Sequence, residues 1–495
     1  MLIKVLMLLV FFASLVVVGI VCRKKATDVN SFVLGGRSVG PWLTAFAYGT
    51  SYFSAVIFIG YAGQFGWKFG VASTWIGIGN AILGSLLAWI VLGKRTRGMS
   101  QRLDSKTMPE FFARRFGSKN LRLVASVVLF IFMIPYTASL YNGLSRLFEM
   151  AFGVDYTVCI IVMSVLTAIY VIAGGYFATA INDFIQGIIM LVGIVAVVVA
   201  ILNVNGGLGG SIDAMKLIQG DCDVAGKYAS IGGPLPVDLI GVVILTSLGT
   251  WGLPQMVGKF YAIKDESNIK KGTIISTIFA VIVAGGCYFL GGFGRLFLTS
   301  EQVDELGFDA IIPKMLENLP DILIGIVVIL VLSASMSTLS SLVLTSSSSL
   351  TLDFINVEIK KNMSEQQKVF VMRVFIFIFI AISAIIAVIQ QNSKVNFIAQ
   401  LMSISWGAMA GAFLAPFLFG LYSKKVSATA CMINFIFAPV LMLANMLFRS
   451  SFPTLLQSPI NCGAFAMVFG LVIIPVISVF TKAPEDKIIK ESFGK

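Results

Sequence analysis

The chain has 495 residues, 57% of them hydrophobic and 12% charged, with a net charge of +12 and a mean hydropathy of +0.93. Soluble domains carry about 25% charged residues, so this composition describes a polytopic membrane protein. Histidine is absent, which removes Ser-His and Cys-His nucleophile pairs, histidine-held metals and the usual proton shuttle, and argues against an enzyme.

In chain order, apolar runs of membrane-crossing length fall at 2–21, 41–65, 72–93, 121–152, 156–175, 178–203, 237–261, 273–298, 320–352, 369–390, 396–422, 427–448 and 461–481. Backbone groups in hydrocarbon must be satisfied within the segment, and none of these runs alternates like a barrel strand. The predicted class is therefore all-α, with about thirteen transmembrane helices. The first run ends in Cys22-Arg23-Lys24-Lys25 without a small-residue cleavage site, so it reads as a retained helix rather than a signal peptide.

Lysine and arginine gather at 23–37, 94–119, 264–271, 360–373, 424–425 and 482–495, whereas Asp221-Cys222-Asp223 and 301–317 are neutral or acidic. With thirteen spans, all the basic groups share the side of the C-terminus. The positive-inside rule makes that side cytoplasmic and puts the N-terminus outside a cell inner (plasma) membrane, with Lys4 a mild exception. The positive charge is thus a topology signal, and no nucleic-acid partner is expected. Five of the six cysteines lie in or beside spans and Cys222 is alone in an outer loop, so neither a disulfide framework nor a metal cluster is predicted. "TMPEFFARRFG" at 107–117 predicts a short interfacial helix. The stretch 204–236 is too polar to span and belongs outside.

Two runs carry internal breaks, "AYGTSYFSA" at 47–55 and "TSLGTWGLPQ" at 246–255, five spans apart. Polar, glycine- and proline-interrupted helices in matching positions point to an inverted-repeat transporter with its site at the breaks. The alternative is close packing, for which membrane helices also use glycine. Within "LSASMSTLSSLVLTSSSS" at 332–349, Ser333, Ser337, Ser340/Ser341 and Thr345 form one helical stripe. Hydroxyls together with carbonyls freed by a broken helix can replace the water shell of a monovalent hard cation, sodium being the natural guest. Ser337 and Thr338 are the pair assigned to the ion, and most of Ser346 to Ser349 to back-bonding within the helix. Asp183 in "ATAINDFIQG" lies inside a span and requires an ion, a proton or a lysine. Arg295 is near enough to the outer end to snorkel, and Arg146 and Glu149 pair at i, i+3.

"FVLGGRSVGPWLTAFAYGTSYFSA" at 32–55, "MPEFFARRFG" at 108–117, "IAGGYFATAINDFIQG" at 172–187, "GLPQMVGKFYAIKD" at 252–265 and "SMSTLSS" at 335–341 together resemble the sodium:solute symporter family over nearly the whole chain. The resemblance implies a single transmembrane domain over 1–495 with a five-plus-five inverted-repeat core. An extra helix would occupy 2–30, the repeats 40–203 and 237–422, and the last helices and cytoplasmic tail 423–495. It implies symport by alternating access, with Na+ as coupling ion held by the carbonyls of Thr50, Phe53 and Ala334 and the hydroxyls of Ser337 and Thr338. Asp183 would stand near the ion's cytoplasmic exit. Solute would meet the breaks among Ser51, Tyr52, Ser54, Tyr136, Thr246, Thr250 and Trp251, where helix N-termini suit a carboxylate.

Proline symporters of the family carry Asp where this chain has Tyr52, and Trp and Tyr where it has Thr246 and Thr250. "TSYFSAVIFIG" at 50–60 is closer to the pantothenate-permease branch. The expected solute is therefore small and carboxylate-bearing, pantothenate-like or a monocarboxylate, with proline or another amino acid as the alternative. Proton coupling through Asp183 is a further alternative. The expected partners are the solute, sodium and the lipid membrane, with the oligomeric state left open.

Overall fold

The computed structural model describes residues 2–391 and 398–494. Among them are eleven helices long and apolar enough to cross a membrane, and strand pairing is limited to one bridge between Val39 and Ile263. The predicted Arg146–Glu149 pair falls outside the described side chains.

Two glycines decide how the apolar runs become helices. Gly70 and Gly175 have φ of 61° and 54°, left-handed backbone that other residues adopt only at a cost. Before Gly70 the chain runs alongside Asn268–Leu296, with Gly49 against Phe279 and Gly66 against Gly291. After it the order is reversed, with Gly77 against Gly285, Ser85 bonded to Ser276 and Gly93 against Ile269. The chain therefore doubles back at Gly70. At Gly175 the helix Tyr156–Val204 is broken as well: before the break Tyr156 donates to the Ala387 carbonyl, and beyond it Ile185 and Val192 line the same surface as Ser14 and Leu6. Each of these turns lies within a long helix that covers two of the apolar runs of the sequence.

The helices Asp321–Ile359 and Gln400–Tyr422 are buried along most of their length, and Lys4–Lys25 hardly at all. The serine-rich segment therefore faces protein, as a run of hydroxyls must. Close approach depends on absent side chains: a β-carbon at Gly66 would overlap the Gly291 carbonyl oxygen.

The basic groups meet at one end of the bundle. Arg97 donates to the Ile263 and Lys264 carbonyls, Arg102 to Ser492, and Arg115 to Gly420 and Ser423. At the opposite end Lys4 pairs with Asp321 at 2.9 Å, which offsets the exception noted in the charge pattern. Two surface expectations change. Met108–Phe116 is a helix, capped by Thr107 and ended by Gly117 at φ 64°, but Phe111, Phe112 and Arg115 are buried. The two phenylalanine rings pack in tilted and edge-on contacts against Phe413, Phe417 and Phe435, so the amphipathic pattern answers to protein rather than to lipid. Arg295 does not snorkel: it lies between the Trp67 and Tyr228 rings and donates to the Trp67 carbonyl and Asp221, which fastens the 204–236 loop over the end of the bundle away from the basic groups.

Candidate ion and solute site

Pro41–Tyr52 stops because Phe53 leaves helical geometry at φ −85°, ψ 123°. The Ile57 amide then bonds to Ser54 O instead of Phe53 O, and the Phe53 carbonyl is left without its helical donor. Leu253 at φ −83°, ψ 120°, followed by Pro254, breaks the second helix in the same way.

The first break faces Asp321–Ser349. Ser337 Oγ lies 3.1 Å from both the Thr50 and Ala334 carbonyl oxygens. Thr338 Oγ1 lies 3.0 Å from Thr50 O, 3.1 Å from Phe53 O and 3.1 Å from Ala334 O. All five residues are buried, and no carboxylate is among these oxygens. Each hydroxyl has a single proton to donate, so two of these five contacts can be hydrogen bonds at one moment. The others bring lone pairs together. A cation between them relieves that repulsion, and an uncharged cage of carbonyls and hydroxyls suits a monovalent one.

One helical turn further along, Ser341 Oγ lies 2.8 Å from Ser51 Oγ and accepts from Lys259 Nζ at 3.0 Å. The same ammonium is 3.7 Å from Asp183 Oδ2. Of the three partners the sequence allows for Asp183, the side chain beside it is a lysine. Nothing in the sequence singled out Lys259, which reads as one basic residue near a helix end.

Among the residues expected to meet solute, Tyr52 and Tyr136 both pack on Trp406, with ring centroids 5.7 and 6.0 Å away. Tyr52 Oη, Tyr136 Oη, Ser54 Oγ and Trp406 Nε1 are buried and make no close hydrogen bond to the protein, although Ser54 and Trp406 lie near the Tyr136 hydroxyl and Tyr288 near that of Tyr52, so the four polar atoms are grouped in one buried place. Trp406 went unnoticed because 396–422 shows no break, and a tryptophan in an apolar run reads as core. Thr246 donates to Val242 O within its own helix. Thr250 donates to the Gly84 or Ser247 carbonyl and Trp251 to that of Leu83, so these two face the neighbouring helix. Ser51 belongs to the Ser341 pair rather than to the aromatic cluster. Between Tyr48, Tyr52, Thr250 and Phe279 lies a cavity of about 20 Å³, room for roughly one water.

The model of the sodium:solute symporter family matches residues 32–437. The chain belongs to this family. The symporter's likeness extends to the sodium/proline symporter of Staphylococcus aureus, 30% identical over 437 residues, 85% of this chain and 81% of that one. Among solved structures it is similar to a Na+-coupled sialic acid symporter in a substrate-bound outward-open state, with a TM-score of 0.75 at 18% identity, covering 98% and 99% of the two chains. It is also similar to a nucleobase-cation-symport-1 family transporter in a closed conformation, with a TM-score of 0.50 at 15% identity, covering 93% and 98%. These likenesses show the fold. Family and fold together make the protein a multi-pass membrane transporter and not an enzyme.

Proposed function

We propose that the protein is a sodium-coupled symporter that imports a small carboxylate-bearing solute by alternating access. The observation that carries this reading is the cage of Thr50, Phe53 and Ala334 carbonyls with Ser337 and Thr338 hydroxyls, five close contacts served by two protons. Sodium there joins the break in the first core helix to Asp321–Ser349. Coupling follows if it joins them only in the state that also shapes the solute pocket, since equal binding to both states would shift nothing. Each ion moving inward with a net-neutral solute such as zwitterionic proline yields about 2.3 kcal/mol per 100 mV, enough to concentrate it roughly fiftyfold, whereas one ion moving with a monoanion is electroneutral and is driven by the sodium concentration gradient alone.

The matched breaks support two inverted repeats over 40–203 and 237–422. The basic end supports a cytoplasmic C-terminus and an outside N-terminus in the plasma membrane. That end is tied shut: Val39 N donates to Ala262 O, Lys264 N donates to Val39 O, and Arg37 donates to the Ser100, Ser105 and Tyr261 carbonyls. Inward opening must part these bonds.

Tyr52, Ser54, Tyr136 and Trp406 form the proposed solute surface. They are neutral groups that suit a carboxylate and offer no acid to an ammonium, which favours a pantothenate-like acid or a monocarboxylate. L-Proline is the second reading, favoured by the identity to the Staphylococcus aureus symporter. Proteoliposomes given an inward sodium gradient should accumulate labelled pantothenate, a short monocarboxylate or L-proline, and lose that uptake when choline replaces sodium. Equal uptake driven by a proton gradient without sodium would refute sodium coupling.

A further inference from the structure

Asp183 is 0% exposed and Lys259 3%. A buried ion pair repays its desolvation only with close, well-bonded geometry, and this pair lacks it. The charged atoms are 3.7 Å apart, and neither carboxylate oxygen has a hydrogen-bond partner. The ammonium instead spends a donor on Ser341 Oγ, at 3.0 Å, and sits 5.1 Å from the centre of the Tyr176 ring. Hydroxyl, carboxylate and aromatic face around one positive charge are the surroundings of a bound cation. Ser341 follows Ser337 by four residues, so this second polar space lies directly along the stripe from the five-oxygen cage, and Ser51 links it to the broken helix.

We propose that the Lys259 ammonium is a tethered cation: it neutralises Asp183 and fills the space one helical turn from the cage, so that a single sodium ion is bound in each cycle. This rests on the sodium reading of the cage. A compact alkali ion and an ammonium are alternatives in the same oxygen-lined space. Shortening the lysine to alanine leaves the Asp183 carboxylate, the Ser341 and Ser51 hydroxyls and room between them.

The test is equilibrium binding of radioactive sodium to the purified full-length protein, counting ions per chain. Wild type and Lys259→Arg bind one ion without cooperativity. Lys259→Ala binds two, with a Hill coefficient above one, and Asp183→Asn/Lys259→Ala returns to one. A count of two in wild type, or of one in Lys259→Ala with Asp183 intact, overturns the proposal. Should Lys259→Ala not yield folded protein, Asp183→Asn serves. It leaves the ammonium unpaired near the cage and weakens sodium binding by about tenfold, the scale of one neighbouring charge at interior dielectric, and unchanged affinity is the refuting result. Thr338→Ala in the wild-type background separates the two readings. If it leaves the affinity for the single ion unchanged, the sodium reading falls. If it weakens that ion while Lys259→Ala gains none, only the role of Lys259 falls.

Discussion

Removing the Thr338 hydroxyl should loosen sodium without unfolding the protein. Thr338 Oγ1 is the most connected oxygen of the cage, within 3.0–3.1 Å of three carbonyls, whereas Ser337 Oγ reaches two. In Thr338→Ala the carbonyls remain and the ion loses one ligand. An interaction between a charge and a neutral hydrogen-bonding group is worth about 1.5–3 kcal/mol, which is roughly a 10- to 150-fold rise in the dissociation constant. The lower part of that range is expected, because water can enter where the side chain was. Thr338→Ser keeps the oxygen and should stay within about threefold of wild type, and Ser337→Ala should fall between the two. The assay is the melting temperature of purified protein as sodium replaces choline at constant ionic strength, since a ligand bound only by the folded state raises stability by mass action. If Thr338→Ala melts normally and half-saturates at the wild-type sodium concentration, the hydroxyl is not a ligand.

Trp406→Phe keeps the ring that Tyr52 and Tyr136 pack on but removes Nε1. It should weaken solute-induced stabilisation by about tenfold, the worth of one hydrogen bond to a charged group, and leave sodium binding unchanged; loss of both together would place Trp406 in the scaffold instead. Arg37→Ala cuts bonds to the Ser100, Ser105 and Tyr261 carbonyls, so a cysteine at Thr345 in a cysteine-free background should react faster with a thiol reagent applied from the basic end. An unchanged rate would remove Arg37 from the closure. Gly66→Ala places a methyl on the Gly291 carbonyl, while at Gly285 a β-carbon meets nothing within 4 Å. Thermal melts should show Gly66→Ala destabilised by about 2 kcal/mol or more and Gly285→Ala neutral or better; equal effects would contradict the packing described at Gly66.

The helices were legible because lipid leaves the chain little choice: every buried backbone group must be satisfied within its own segment, so length and hydropathy suffice. The breaks could also be read, since glycine and proline act locally, and the hydroxyl stripe because its spacing lies on one helix. The partners across the bundle could not. Lys259 meets Asp183 from 76 positions away in the sequence, and no local pattern of charge records such a meeting. Trp406 is similar, for an aromatic residue in an unbroken apolar run is ordinary core until Tyr52 and Tyr136 are seen against it. Ser51, Thr246, Thr250 and Trp251 occupy the broken helices as expected, yet which way each side chain points depends on the neighbouring helix. Arg115 shows the same limit at the surface: amphipathic spacing gives a polar and an apolar face but not whether lipid or protein covers them.

The most direct measurement is a pair of high-resolution cryo-EM maps of the protein in lipid nanodiscs, one in sodium and one in choline. In sodium a single density should stand in contact with the Thr50, Phe53 and Ala334 carbonyls and the Ser337 and Thr338 hydroxyls, and it should vanish in choline. Identical maps at those five oxygens, or a sodium-dependent density elsewhere with the cage unchanged, would contradict the account.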